Sequence, residues 1–316
     1  MKNESSVNQE QLDRPAIGII LRILSGALFA AMAIFVKAVS ADVPVGQIVF
    51  FRSAFALIPL VVFLWMRGEF PGGLATRRPL DHLLRSALGA AAMFASFASI
   101  ARLPLAEATL LGYLSPVFTA IAGVVILSER ATVWRAAGVI LGTFGVLALV
   151  WPELGQSTAH ETRLIGFGFG LLMGLLTAFA LIMVRSLSRT ESPGAIAFYF
   201  VVASMIGGIA TLPFGWAVPS LSQLLCLVGA GIFGGFAHIC MTLAFRYTEA
   251  SRLAPFEYLA ILWPILADLV LFGQPLTHPF LLALPLVLSL SACVSGPSGN
   301  PNPPQPAKAV ELDRYL

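Results

Sequence analysis

The sequence predicts an all-α polytopic membrane protein, with ten transmembrane helices arranged as two five-helix repeats of opposite direction. Three observations predict it. Of 316 residues, 58% are hydrophobic and only 11% charged, whereas a soluble domain is about a quarter charged and needs that polarity to cover its surface. Apolar runs long enough to cross a hydrocarbon core of about 30 Å recur along the chain. The chain also resembles itself across its midpoint. Disorder, a collagen-like repeat and a disulfide scaffold are excluded, because there are only 3 cysteines and the 28 glycines and 21 prolines follow no short period.

The elements follow in order. Residues 1–15 are polar and mixed in charge and read as a cytoplasmic N-terminal segment, after which apolar runs begin at Pro15. Spans are expected at 16–38, 45–66, 83–101, 105–127, 132–151, 164–184, 194–213, 221–243, 253–272 and 276–295. The first is read as a retained helix rather than a signal peptide. Its lead holds Glu4, Glu10 and Asp13, and its apolar run exceeds a signal core. Connections are short and leave no room for a soluble domain. Residues 296–316 are rich in Pro, Gly and Asn and read as a disordered cytoplasmic tail.

Charge placement sets the orientation. With ten spans both termini share a side, and that side collects Lys2, Arg14, Arg22, Arg67, Arg77, Arg78, Arg85, Arg130, Arg135, Arg185, Arg189, Arg246, Arg252, Lys308 and Arg314. Only Lys37, Arg102 and Arg163 fall opposite, and Arg52 lies within the second span. Positive residues mark the cytoplasmic face, so both termini are expected in the cytoplasm and the chain in a bacterial-type inner membrane. The dispersal of the basic residues between apolar runs argues against nucleic acid as a partner. Cys226, Cys240 and Cys293 lie in apolar stretches without ligand spacing, so packing is their expected role and no metal or cofactor is expected.

The internal repeat is legible in two segments. GAAAMFASFASIARLPLAEATLL runs from Gly89 to Leu111, and GIFGGFAHICMTLAFRYTEASRL from Gly231 to Leu253. Gly89/Gly231, Phe94/Phe236, Ala95/Ala237, Glu107/Glu249, Ala108/Ala250 and Leu111/Leu253 are identical, and Thr109 answers to Ser251. Tandem units with an odd number of spans enter the membrane from opposite sides, so the halves, 16–151 and 164–295, are related by a pseudo-two-fold axis in its plane. Such repeats are the architecture of alternating-access transporters, with the solute site at the midplane between halves.

Several segments carry a family resemblance: Phe50-Phe51-Arg52, the stretch LPLAEATLLGYLSPVFTAIAGVVILSER (Leu103–Arg130), the glycine-bearing WRAAGVILGTFGVLALV, and ASRLAPFEYLAILWPILADLVLFGQP (Ala250–Pro275). Together they resemble the drug/metabolite transporter superfamily, in the branch built from two EamA domains that includes riboflavin and S-adenosylmethionine uptake proteins. One departure stands out: Glu129 closes the stretch in the first half, but Gln274 stands in its place in the second.

Ionisable groups inside a membrane are costly and mark functional sites by default. Arg52 lies roughly 10 Å into its span, deep enough to meet a solute or gate and shallow enough to snorkel. Lys37 reads as an interface anchor or a functional charge. Glu257 and Tyr258 follow Pro255, where a freed carbonyl and a carboxylate suit proton transfer; the alternative is a solvated Glu at a helix entrance. Asp268 reads as interfacial or functional. His238 takes the slot of Ser96 and is a packing histidine or a cavity group. Phe94, Tyr113, Phe236, Tyr258 and Trp263 are candidates for an aromatic wall around a planar or zwitterionic organic solute. Gly138/Gly142 and Gly166/Gly170/Gly174 recur four apart and predict close helix packing.

These residues weigh against an enzyme, since the four histidines show no catalytic or ligand spacing, and a channel filter is absent. No Walker motif is present. A secondary transporter of a small organic metabolite is expected, coupled to protons or another ion or running down the solute's own gradient. The resemblance implies riboflavin uptake first, with efflux of amino acids or related metabolites, or S-adenosylmethionine import, as alternatives.

Overall fold

The computed structural model describes residues 14–125, 133–153, 158–188, 190–248 and 259–294, with Leu253 and Phe256 between the last two stretches. Among the described residues every regular element is a helix. The first half holds α1 (Pro15–Val39), α2 (Val45–Met66), α3 (Pro79–Arg102), α4 (Leu105–Gly112), α5 (Ser115–Val125) and α6 (Val133–Val150). The second holds α7 (Thr158–Leu187), α8 (Pro193–Ile209), α9 (Leu221–Tyr247), α10 (Leu262–Val270) and α11 (His278–Val294). Among the described residues eight stretches are long and apolar enough to span a membrane, one of them α4 and α5 together (Leu105–Ala122), and a shorter apolar helix covers His278–Ser289. Residues 1–13 of the expected N-terminal segment 1–15, and the expected tail 296–316, lie outside the described residues.

Local chemistry explains the helix starts. Pro15, Pro79 and Pro193 occupy first turns, where a missing N–H leaves no bond unmade. The Ala195 N–H donates to Ser192 Oγ at 3.1 Å, and Ser220 and Gln223 cap α9 reciprocally.

Three boundaries differ from expectation. α3 begins at Pro79 rather than 83, and α7 at Thr158 rather than 164, because polar first turns lower the hydropathy of a helix without breaking it. The earlier start sets Arg85, counted above with the cytoplasmic-side charges, a turn deeper in its helix than the expected span did. The fourth span is two helices: the N–H groups of Tyr113 and Leu114 donate three residues back, to Leu110 and Leu111, both at 3.1 Å, and Pro116 lacks the N–H that would continue the ladder. Of the ninth span only the second part is described, as α10.

The helices pack by a two-fold rule. α1 lies on α9 and α3 on α7; α2 lies on α9 and α3 on α8; α2 crosses α8, and α6 crosses α11. Exchanging α1 with α7, α2 with α8, α3 with α9 and α6 with α11 returns the same set of pairs. Glycine contacts repeat the exchange. A Cβ on Gly46, at the start of α2, would strike Thr211 just past α8, and one on Gly194, at the start of α8, would strike Leu64 near the end of α2. Likewise a Cβ on Gly26 of α1 would stand 2.9 Å from Ala260, and one on Gly174 of α7 3.2 Å from Phe118. The antiparallel α2–α8 crossing is therefore the self-complementary seam of two inverted halves.

Candidate functional site

A cavity of about 390 Å³ opens between α2, α8 and α9, walled by Leu60, Phe63, Ala197, His238, Ile239 and Thr242, among others. Where α2 ends, Arg67 Nε holds Glu69 Oε1 at 2.6 Å beside it. His238 links this space to the centre of the bundle. Its ring meets Phe29 of α1 edge-on at 5.0 Å and Phe200 of α8 at 6.0 Å. The Arg85 guanidinium of α3 covers the far part of that surface, 4.6 Å from the Phe200 ring centre.

Arg52 of α2 approaches from the other side and is only 2% exposed. It fits because α9 is glycine there: a Cβ on Gly234 would meet Met32 Sδ at 2.8 Å, Arg52 Nε at 3.1 Å and Arg52 Nη2 at 3.2 Å. Gly231 and Gly235 bring the α2 backbone equally close. His238 stands one helical turn from Gly234 on the same face, so Arg52, His238 and Arg85 converge on one region. The buried Nε and Nη1 of both arginines have no hydrogen-bond partner. Among the described residues the carboxylates are engaged elsewhere or exposed.

Those engagements organise the two ends of the bundle. At the end where α1 finishes, Lys37 Nζ donates to the Ile100 and Leu103 carbonyls at 2.8 and 2.7 Å, closing the C-terminus of α3. Asp268 of α10, 1% exposed, accepts the N–H groups of Leu105 and Ala106 at 3.0 and 2.8 Å and closes the N-terminus of α4. Next to it Arg163 Nη2 binds Glu107 Oε2 at 2.9 Å and its Nε binds Glu153 at 2.8 Å, while Thr277 donates to Glu107. At the opposite end His82 stands 3.4 Å from Glu191 Oε2. Burial there raises the Glu191 carboxyl, but hydrogen bonds from Thr76, His82 and the Arg77 N–H outweigh it and hold the group below the ordinary glutamate value.

Of the candidates named from sequence, Arg52 and His238 come together. Asp268 and Lys37 sit at the α3–α4 break. Phe236 lies two residues from both Gly234 and His238, hence on nearly the opposite face of α9, and is half exposed. Trp263 is partly exposed on α10, Phe94 packs beside Gly207 of α8, and Tyr113 caps α4. Glu257 and Tyr258 lie outside the described residues. Gly166, Gly170 and Gly174 form one face of α7 against Leu103, Leu111 and Phe118. Gly138 and Gly142 are buried on α6, which approaches α11 at Gly145, where an added Cβ would lie 2.7 Å from Val287. Sequence reasoning missed Arg85, Phe29 and Phe200. The signal available was Arg85 one turn before Gly89, the partner of Gly231 in the repeat.

The family model described as the EamA-like transporter family matches residues 16–151 and 164–295. The chain belongs to this family. The pseudopaline exporter of Pseudomonas aeruginosa is 30% identical over 257 residues, covering 80% of this chain and 86% of that protein. The riboflavin transporter of Rhizobium johnstonii is 26% identical, covering 92% of this chain and 94% of its own. A solved protein structure, 17% identical, superposes with a TM-score of 0.61 over 88% of this chain and 96% of that one, a likeness of fold. This EamA-like protein is thus a multi-pass membrane transporter of the drug/metabolite type.

Proposed function

We propose that the protein is an alternating-access secondary carrier that moves a small organic solute across a bacterial inner membrane through the cavity at His238, with both termini in the cytoplasm. The observation that carries this reading is the exchange symmetry of the packing: halves that repeat their contacts in opposite directions have two equivalent ways to close. In the form described, the end pinned by Lys37, Asp268 and the Glu107–Arg163–Glu153 network is closed. The cavity lies toward the other end, where the positive residues gather, which is the cytoplasmic end in this reading. A proton or another ion, or the solute's own gradient, drives the cycle. Riboflavin uptake is the reading of the sequence that the Rhizobium relative supports. Efflux of an amino acid or related metabolite is the second reading, favoured by the pseudopaline exporters.

Proteoliposomes holding the full-length chain test the reading. Saturable, protein-dependent counterflow of riboflavin or of an amino acid is expected. Turnover of a lipid-linked substrate with no flux of any solute would overturn it. Rescue of a riboflavin auxotroph favours uptake, whereas resistance to amino-acid analogues favours efflux.

A further inference from the structure

The geometry points to an anion subsite at the centre of this carrier, in which Arg52 and Arg85 together hold a carboxylate or phosphate group of the transported solute. This deepens the carrier reading and rests on it. A guanidinium remains protonated in proteins, and burying it without a partner is strongly unfavourable. Here two guanidiniums are brought into one region from α2 and α3, and each has Nε and Nη1 buried without a hydrogen-bond partner.

Neither arginine is there by default of packing. α9 carries Gly231, Gly234 and Gly235 where Arg52 and its helix approach, and α3 carries Gly89 where Arg85 Nη1 would stand 2.7 Å from an added Cβ. Side chains at these glycines would fill the room that the guanidiniums occupy. Among the described residues the buried carboxylates are spent at the ends of the bundle: Glu107 and Glu153 on Arg163, Glu191 near His82, Asp268 on the N–H groups of α4. The missing counter-charge is therefore supplied from outside the described residues.

The remaining walls suit a small organic anion. Phe29 and Phe200 each contact the His238 ring edge-on, and the imidazole, which lines the cavity with the apolar Leu60, Phe63 and Ala197, adds a donor or acceptor there. A planar guanidinium offers paired N–H groups matched to a carboxylate or phosphate. Two such groups repel a cationic solute and bind an anion more strongly than a neutral acceptor of the same shape. Because the two arginines reside on different helices of the first half, an anion between them ties α2 to α3. Its arrival thus bears on how the first half moves against α8 and α9.

Matched pairs of probes test this with the purified full-length chain in detergent: riboflavin against riboflavin 5′-phosphate, and glutamine against glutamate. The anionic member of at least one pair is expected to bind roughly tenfold tighter or better, the factor one charge-assisted bond supplies. Arg52→Gln and Arg85→Gln are each expected to remove that preference. Equal binding within both pairs, binding of none of the four, or a preference untouched by both substitutions would overturn the subsite. A second measurement needs no ligand. Arg52→Met removes an uncompensated buried charge, so the unliganded protein should melt at a higher temperature than the parent; a lower one would make Arg52 structural and sink the proposal. Charge-selective binding without flux would keep the subsite and overturn the carrier reading. Flux of neutral solutes without charge preference would do the reverse.

Discussion

Asp268 shows what a single ionised group does inside this bundle. Its two oxygens accept the Leu105 and Ala106 N–H groups, the orphan donors that any helix leaves at its N-terminus, where the helix dipole also favours negative charge. α4 starts after Pro104 inside the protein, with little water to satisfy those donors. Asp268→Ala should therefore destabilise the protein by about 2–3 kcal/mol, the cost of stranding buried donors that bonded a charged group. Asp268→Asn should lose less, because one amide oxygen still accepts. Thermal unfolding of both variants in detergent checks the order; equal losses would mean that Asp268 serves as a charge rather than as an acceptor. The residue itself was legible in the sequence as a costly one. Its partners were not, since backbone N–H groups of a distant helix leave no mark in residue identity. The depth of Arg85 was illegible for a related reason: hydropathy does not register a polar first turn, so the helix that carries it starts earlier, at Pro79.

At the scale of elements, close crossings hold the halves together. Lipid gives helices little hydrophobic reason to associate, so small residues that admit a neighbouring backbone matter more than in water. Gly208 of α8 meets backbone rather than side chain along the seam: an added Cβ would lie 2.6 Å from the Phe50 nitrogen and 2.8 Å from its Cα. Backbone cannot rotate away, so Gly208→Val should force α2 and α8 apart, costing about 3 kcal/mol or more and sharply lowering the yield of folded protein. Gly168→Ala on α7 is the control. Nothing stands within 4 Å of that position, and the gain in helix propensity of up to about 1 kcal/mol should leave folding intact. Size-exclusion profiles and melting temperatures of the two variants read the contrast. The glycines of α7 were visible as a pattern four apart. Those of α9, at Gly231, Gly234 and Gly235, gain their meaning only from Arg52 and Pro59 across the interface.

For the whole molecule, the inverted arrangement fixes which loops share a side. A reporter that fluoresces only in the cytoplasm should do so when fused after residue 316 or inserted in the 67–78 connection. It should stay dark when inserted in the 210–220 connection, and the opposite pattern would reverse the assignment. Length, charge scarcity and a repeat with the Glu-Ala-Thr/Ser signature determined by themselves that the chain crosses a membrane many times, in two related halves, as a transporter. Each is a local or additive property: lipid selects for apolar length, and duplication preserves residue order. Only the tertiary structure decided which costly groups meet. Asp268 and Lys37 proved to close helix ends, whereas Arg52 and Arg85 bring buried guanidinium nitrogens without hydrogen-bond partners toward His238. That difference depends on distances between separate helices, which hydropathy does not encode and which the packing of α2, α3 and α9 alone brings into being.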